Sequence, residues 1–238
     1  WEDAIKGLGP DFENIVNKAA LEVISDQIEC GIDIVTDGEV RRENYIHYHC
    51  RFLKGIDFSN LTKKTARTGN YDCYLPTIVD QVKFDKPFLS NEFKTNQNIS
   101  SKPIKVTIPG PLTITDTIAD NYYNDSKKLG FDLSIAINNE IKDLANAGCK
   151  YIQIDEPLFA RKTGEAISFG VENLERCFHG LPNEIEKIVH ICCGYPDKID
   201  AVDYPKAPLN SYNDLSSYLE DSNVDTISIE DAHRHNDL

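Results

Sequence analysis

His190, Ile191 and Cys192 form the most informative triplet in the chain. Residues two apart on a strand project from one face, so an imidazole and a thiolate there can grip a single metal ion. The competing reading is a core histidine beside core cysteines. Cys193 falls on the opposite face and reads as a packing residue. Glu230 ends the next apolar run, Ile227-Ser228-Ile229-Glu230. The two isoleucines commit that run to burial, and a buried carboxylate must be paired, hydrogen-bonded or metal-bound. With His190 and Cys192 it makes three ligands of a tetrahedral site, leaving one position for another cysteine or for a substrate. The alternative is a salt bridge to Arg234, four residues on. His233 and His235 read as surface-loop residues or hydrogen-bond partners of the site.

Acids end two further runs. Tyr151 to Ile154 leads into Asp155-Glu156-Pro157, and Ile32 to Val35 leads into Thr36-Asp37-Gly38-Glu39, with Arg41 and Arg42 just beyond. A carboxylate turned into a pocket can hold a substrate ammonium. The alternatives are a helix N-cap or an inter-strand ion pair, with the arginines as the plain partners of Asp37 and Glu39. Such acids suit an amino-acid ligand better than a phosphate.

The elements that must position these residues alternate. Residues 14–30 carry Val16, Ala20, Ile24 and Ile28 at helical spacing and stop at Gly31. A buried strand is expected at 32–35 and a second at 105–108, running into Pro109-Gly110-Pro111. A helix from about Phe131 places Leu133, Ile137, Ile141 and Leu144 on one face and ends at Gly148. A strand at 151–154, a helix around 171–178, a β-rich run at 188–194, a helix near 211–221 and a strand from Thr226 complete the series. Five β-rich runs separated by helices predict parallel βαβ units. No G-x-G-x-x-G or Walker loop follows an early strand, so an open dinucleotide-binding sheet is disfavoured. Each run ends in polar or Gly/Pro residues at its C-terminal end, where a (β/α)8 barrel builds its active site. The segment 40–103 breaks the rhythm and holds nine of the 21 Phe and Tyr residues. It reads as an insertion that either walls a pocket or packs a small core of its own.

Composition narrows the function. Lys plus Arg total 25 against 39 Asp plus Glu, a net charge of -14. Such a surface repels phosphate backbones and anionic membranes, so neither nucleic acid nor membrane is expected as a partner. No apolar stretch approaches the roughly 20 residues of a transmembrane helix, and no signal peptide is visible. Seven scattered cysteines fit a reducing cytoplasm. The chain starts at Trp1 and holds no methionine. Together with five strands where a barrel needs eight, this leads to the expectation of one catalytic barrel domain over 1–238, lacking its first and last strands.

The strand ends taken together resemble the C-terminal catalytic barrel of the cobalamin-independent methionine synthase family and its short homologues, in the superfamily shared with uroporphyrinogen decarboxylase. The matching stretches are Asp37-Gly38-Glu39, Ile108-Pro109-Gly110-Pro111-Leu112-Thr113, Gln153-Ile154-Asp155-Glu156-Pro157, His190-Ile191-Cys192 and Ile227-Ser228-Ile229-Glu230 with Arg234. The resemblance implies a TIM barrel and a zinc ion held by His190, Cys192, Glu230 and a further cysteine expected beyond Leu238. It implies homocysteine bound through Glu39 and Asp155 and methylated to methionine. The resemblance implies a methyl donor that is 5-methyltetrahydrofolate or another methyl carrier. One departure concerns that donor: the stretch Gly110–Thr117 lacks the tryptophan that stacks on the pterin in the folate-dependent enzymes. Alternatives of other kinds are alkyl transfer to a different thiol such as coenzyme M, or a paralogue that binds zinc or a small molecule without catalysis.

Overall fold

The computed structural model describes residue 7 and residues 9–66, 71–194, 206–231 and 236. Helix α1 (Phe12–Glu29) buries Val16, Ala20 and Ile24 on the face that their spacing predicts, with Ile28 partly buried behind them. Gly31 at φ +86° then turns the chain in the left-handed region, where a side chain would be strained. The expected strand at 32–35 shrinks to a single contact. Val35 is fully buried and makes one parallel bridge to Ile104, whereas Ile32 and Ile34 are exposed.

The interruption at 40–103 contains the short helix α2 (His47–Cys50), two long strands β1 (Leu53–Ala66) and β2 (Tyr71–Phe84), and helix α3 (Leu89–Ile99). The strands pair antiparallel, a hairpin that the sequence reading did not foresee. At its base Phe52 stacks on Phe88 with ring centroids 3.9 Å apart, and Tyr48 and His49 meet Phe88 edge-on.

The second half carries β3 (Lys105–Pro109), α4 (Pro111–Thr117), β4 (Ala119–Asp120), α5 (Ser126–Asn146) and β5 (Tyr151–Asp155). Then come α6 (Leu158–Arg161), α7 (Thr163–Glu165), a π-helical turn (Ala166–Gly170), α8 (Val171–Cys177), β6 (Glu186–Ile191), α9 (Ser211–Glu220) and β7 (Thr226–Ile229). Helix α5 starts earlier than expected because the Asp125 side chain accepts from the Lys127 and Lys128 amides and caps it. The two-residue β4 lies parallel against β2.

Strands β3, β5, β6 and β7 form one parallel sheet whose spatial order follows the sequence. Nothing reverses, which separates it from a doubly wound sheet. Among the described residues these four strands do not close on themselves. One face is apolar: Val106, Ile108, Ile152, Ile154, Val189 and Ile191 share a cluster with Leu133, Ile137, Ile141 and Leu144 of α5. Each such side chain contributes roughly 1.5–3 kcal/mol on burial. The other face is polar, because the strands are in register. Thr107, Gln153, Ile188 and Thr226 form one row across it, and Pro109, Asp155, His190 and Ser228 the next. Burial of β7 is less than its sequence suggests: Ile227 is 45% exposed, since β7 ends the described sheet with a neighbour only on its β6 side. No helix among the described residues is long and apolar enough to cross a membrane.

Candidate active site

Glu39 adopts φ +56°, directly after Gly38 at +64°. A non-glycine residue there costs roughly 1–2 kcal/mol, and such strain concentrates at functional positions. Asp37 supports the turn: its Oδ1 accepts the Glu39 amide at 2.9 Å, and Asn96 donates to its Oδ2 at 3.1 Å. The turn delivers the Glu39 carboxylate to β3, where its Oε1 accepts from Arg42 at 2.7 Å and from the Thr107 hydroxyl at 2.6 Å. Arg42 is nearly fully buried and also donates to the Thr107 carbonyl. Glu39 keeps 33% of its side chain exposed, so the acid is held from behind and open in front. Arg41 takes no part and reaches back to Glu13 and Asn17 of α1.

Asp155 ends β5. Its Oδ1 accepts from Gln153 Nε2 at 2.7 Å, and Gln153 Oε1 accepts from Lys105 Nζ at 2.7 Å. Burial pushes the Asp155 carboxyl up to about 6, and the Glu39 charge adds to the rise against the Gln153 bond, Arg42 and Lys105. A largely buried carboxyl raised by burial and by a neighbouring negative charge is an attractive seat for an ammonium group. Glu156 fits the N-cap alternative instead. It is fully buried, its carboxyl lifted by burial to about 7, and it accepts from the Leu112 and Thr113 amides and the Thr113 hydroxyl. It therefore caps α4 from the neighbouring strand.

His190 stands beside Asp155 in register and in line with Ser228, whose Oγ lies 3.0 Å from His190 Nδ1. If Nδ1 carries the proton toward Ser228, Nε2 presents a lone pair, the arrangement typical of a metal-bound imidazole. Burial, with Lys105 nearby, lowers the His190 pKa and keeps the ring neutral. Cys192 is buried and its thiol is pushed up by burial, with the Glu230 charge adding to the rise. Cys193, on the opposite face as expected, buries its sulfur against the Tyr212 hydroxyl at 3.2 Å. Glu230 Oε2 accepts the Cys193 amide at 3.0 Å, and its Oε1 pairs with Lys206 at 2.7 Å. Among the described residues no three His, Cys, Asp or Glu side chains are gathered closely enough to hold an ion. A neutral imidazole, a thiol and a carboxylate on adjacent strand ends fit zinc in kind. Of the three, the Glu230 carboxylate is already engaged by Lys206. Arg234, the partner expected for Glu230, and His233 and His235 lie outside the described residues.

Sequence reading missed Thr107, Lys105, Ser228 and Lys206, and gave Arg42 only a plain role. The signal for the first three is period-two polarity: Lys105 and Thr107, Gln153 and Asp155, Ser228 and Glu230 each alternate with apolar residues. Lys206 had no such signal. A cleft of about 390 Å³ between the hairpin and α4 is lined by none of the five predicted site residues. Its charges largely satisfy each other: Lys162 pairs with Asp116 and Glu165, and Lys64 donates to the Asp116 carbonyl.

Comparison with known proteins adds independent findings. The family model described as cobalamin-independent synthase, catalytic domain, matches residues 6–238. A curated methionine synthase of Saccharolobus solfataricus is 37% identical over 186 residues, covering 77% of this chain and 54% of the relative. One from Sulfurisphaera tokodaii is 30% identical over 221 residues, covering 92% and 59%. The solved structure of a B12-independent methionine synthase from Shewanella sp. W3-18-1, in complex with selenomethionine, matches with TM-score 0.81 at 32% identity, covering 92% of this chain and 64% of that one. The chain thus spans between half and two thirds of the length of these relatives.

Proposed function

The chain belongs to the cobalamin-independent methionine synthase family, and from that premise we propose that it forms a zinc-dependent methyltransferase that converts homocysteine to methionine. In this reading the parallel sheet is part of a single (β/α)8 barrel domain, and its polar face is the barrel's interior. The seven cysteines, all free, suit a cytoplasmic setting.

Glu39 and Asp155 bind the amino group of homocysteine. The cation held by them offsets the burial and the Glu39 charge that together raise Asp155. Arg42 and Thr107 fix the Glu39 carboxylate, so the substrate meets an acid already oriented. His190, Cys192 and Glu230 would hold the zinc, with Ser228 orienting the imidazole and Glu230, now paired with Lys206, as the carboxylate ligand. Bound zinc supplies one thing: it lets a thiol ionise at neutral pH, where an unbound thiol near pKa 8.5 is mostly protonated. The acids set the direction in which the sulfur faces the incoming methyl group, and that positioning is where much of the rate gain arises.

The observation that carries this reading is the row that sets Asp155 directly beside His190 on parallel strands. In this reading that pairing brings the proposed ammonium anchor next to a proposed zinc ligand, as a short amino-acid thiol bound at both ends would require. The donor is the least constrained part. Residues 111–114 of α4 are buried and carry no aromatic ring, so this turn gives a flat pterin nothing to stack on.

The test is direct. Zinc-loaded protein is incubated with homocysteine and, in turn, 5-methyltetrahydrofolate and other methyl carriers, and methionine is measured. Methionine formed with at least one donor, and lost on zinc removal, supports the proposal. Methylation of coenzyme M but not homocysteine moves the assignment to the other thiol, and zinc-independent inertness with every pair points to a non-catalytic binder.

A further inference from the structure

The polar face of the sheet contains a chain of three side chains whose donor and acceptor sense can run only one way. Lys105 lies two positions before Thr107 on β3, and Gln153 two positions before Asp155 on β5. Lys105 Nζ lies 2.7 Å from Gln153 Oε1, and Gln153 Nε2 lies 2.7 Å from Asp155 Oδ1. An ammonium has no acceptor and an ionised carboxylate no donor. The lysine therefore fixes the amide oxygen on its own side, and the amide N–H₂ is left facing the acid.

We infer that Lys105 and Gln153 are positioning residues that orient the Asp155 carboxylate for the substrate's amino group. The inference rests on the proposed role of Asp155 as an ammonium anchor. Two physical points favour it over a plain packing role. Lys105 is half-buried and burial depresses its pKa, so the protein holds a cation where it is costly. Yet that cation bonds to a neutral amide instead of pairing with Asp155 directly. A direct ion pair would place the lysine on the oxygens that a substrate ammonium needs. The interposed amide keeps the positive charge one side chain away, takes Oδ1, and turns the carboxylate toward the end of the strand.

The experiment compares two thiols. Binding of L-homocysteine and of 4-mercaptobutanoate, which lacks the amino group, is measured by calorimetry on the zinc-loaded full chain. Lys105→Met should weaken homocysteine about tenfold while leaving 4-mercaptobutanoate unchanged, the scale of one lost charge-assisted orientation. Lys105→Arg should restore most of the loss. Gln153→Met should behave as Lys105→Met does and carries the test if that variant does not fold. Equal weakening of both thiols, or no weakening of either, overturns the inference. Asp155→Asn separates the premise from the inference: if it binds both thiols as the wild type does, the ammonium anchor is wrong. If it loses homocysteine while Lys105→Met and Gln153→Met do not, the anchor stands and the positioning chain falls.

Discussion

Glu156 occupies the space that a side chain on Gly110 would need: a Cβ at Gly110 would lie 2.2 Å from the Glu156 carboxyl carbon. The glycine is required by close approach, since the carboxylate must reach past it to the α4 amides. Gly110→Ala is therefore expected to displace Glu156, uncap α4 and cost at least the 1–3 kcal/mol of an overpacked site. Thermal melting should show a fall of several degrees or more. Pairing it with Glu156→Ala should recover part of that loss, because the clash disappears; no recovery in the double variant contradicts the account.

Glu140 of α5 accepts the Phe88 and Leu89 amides at the start of α3, and burial, helped by Asp143 and Glu92, lifts its carboxyl to about 7. The folded pKa lies above the ordinary value, so the folded state prefers the protonated acid. That contribution is complete below pH 4 and fades as pH rises through about 7. Glu140→Gln keeps the acceptor oxygen and removes the titration. It should match the wild type near pH 4 and exceed it at pH 8.5 by on the order of 2–3 kcal/mol. Melting curves at the two pH values check this, and a pH-independent difference would refute it.

The strands expected at 105–108, 151–154 and 188–194, found at 105–109, 151–155 and 186–191, were legible because Val106, Ile108, Ile152, Ile154 and Val189 bury one face. The acids and the His-Cys pair were legible because they end those runs. The hairpin was not. Its register shifts between Lys54 and Ile56 and again between Asp57 and Thr62, and Gly55 at φ +87° packs against the backbone of Asp80 and Gln81. Such irregularities erase the period-two pattern that announces a strand. The strand at 32–35 failed for the opposite reason: Ile32 and Ile34 look like core yet face outward, with Val35 alone paired. Lys206 escaped because a long-range ion pair to Glu230 leaves no local trace.

That ion pair makes a prediction of its own. With Glu230 as a zinc ligand, as proposed, Lys206 would compete with the metal for one carboxylate, so Lys206→Met should tighten zinc binding several-fold. In the metal-free protein it should also destabilise, since Glu230 is left half-buried beside a smaller complement of partners. Competition with a chromophoric chelator reads the first effect. Unchanged or weaker zinc affinity would show that Lys206 does not restrain Glu230.

The adjacent cysteines should separate cleanly. Cys192 follows the end of β6 two residues after His190, and Cys193 packs in the apolar cluster with its sulfur against Tyr212. Cys192→Ser is expected to lose stoichiometric zinc and all methyl transfer while melting close to the wild type. Cys193→Ser should keep its zinc and lose on the order of 1 kcal/mol of stability. Elemental analysis with melting curves decides it, and retained zinc in the Cys192 variant would remove that residue from the site.

Zinc-edge X-ray absorption, recorded on the purified protein before and after adding homocysteine, probes the proposed chemistry at its centre. The account predicts one tightly bound zinc per chain with imidazole and sulfur neighbours, and one additional sulfur neighbour once the amino-acid thiol is present. A protein that retains no zinc, or a spectrum that homocysteine leaves unchanged, would contradict it.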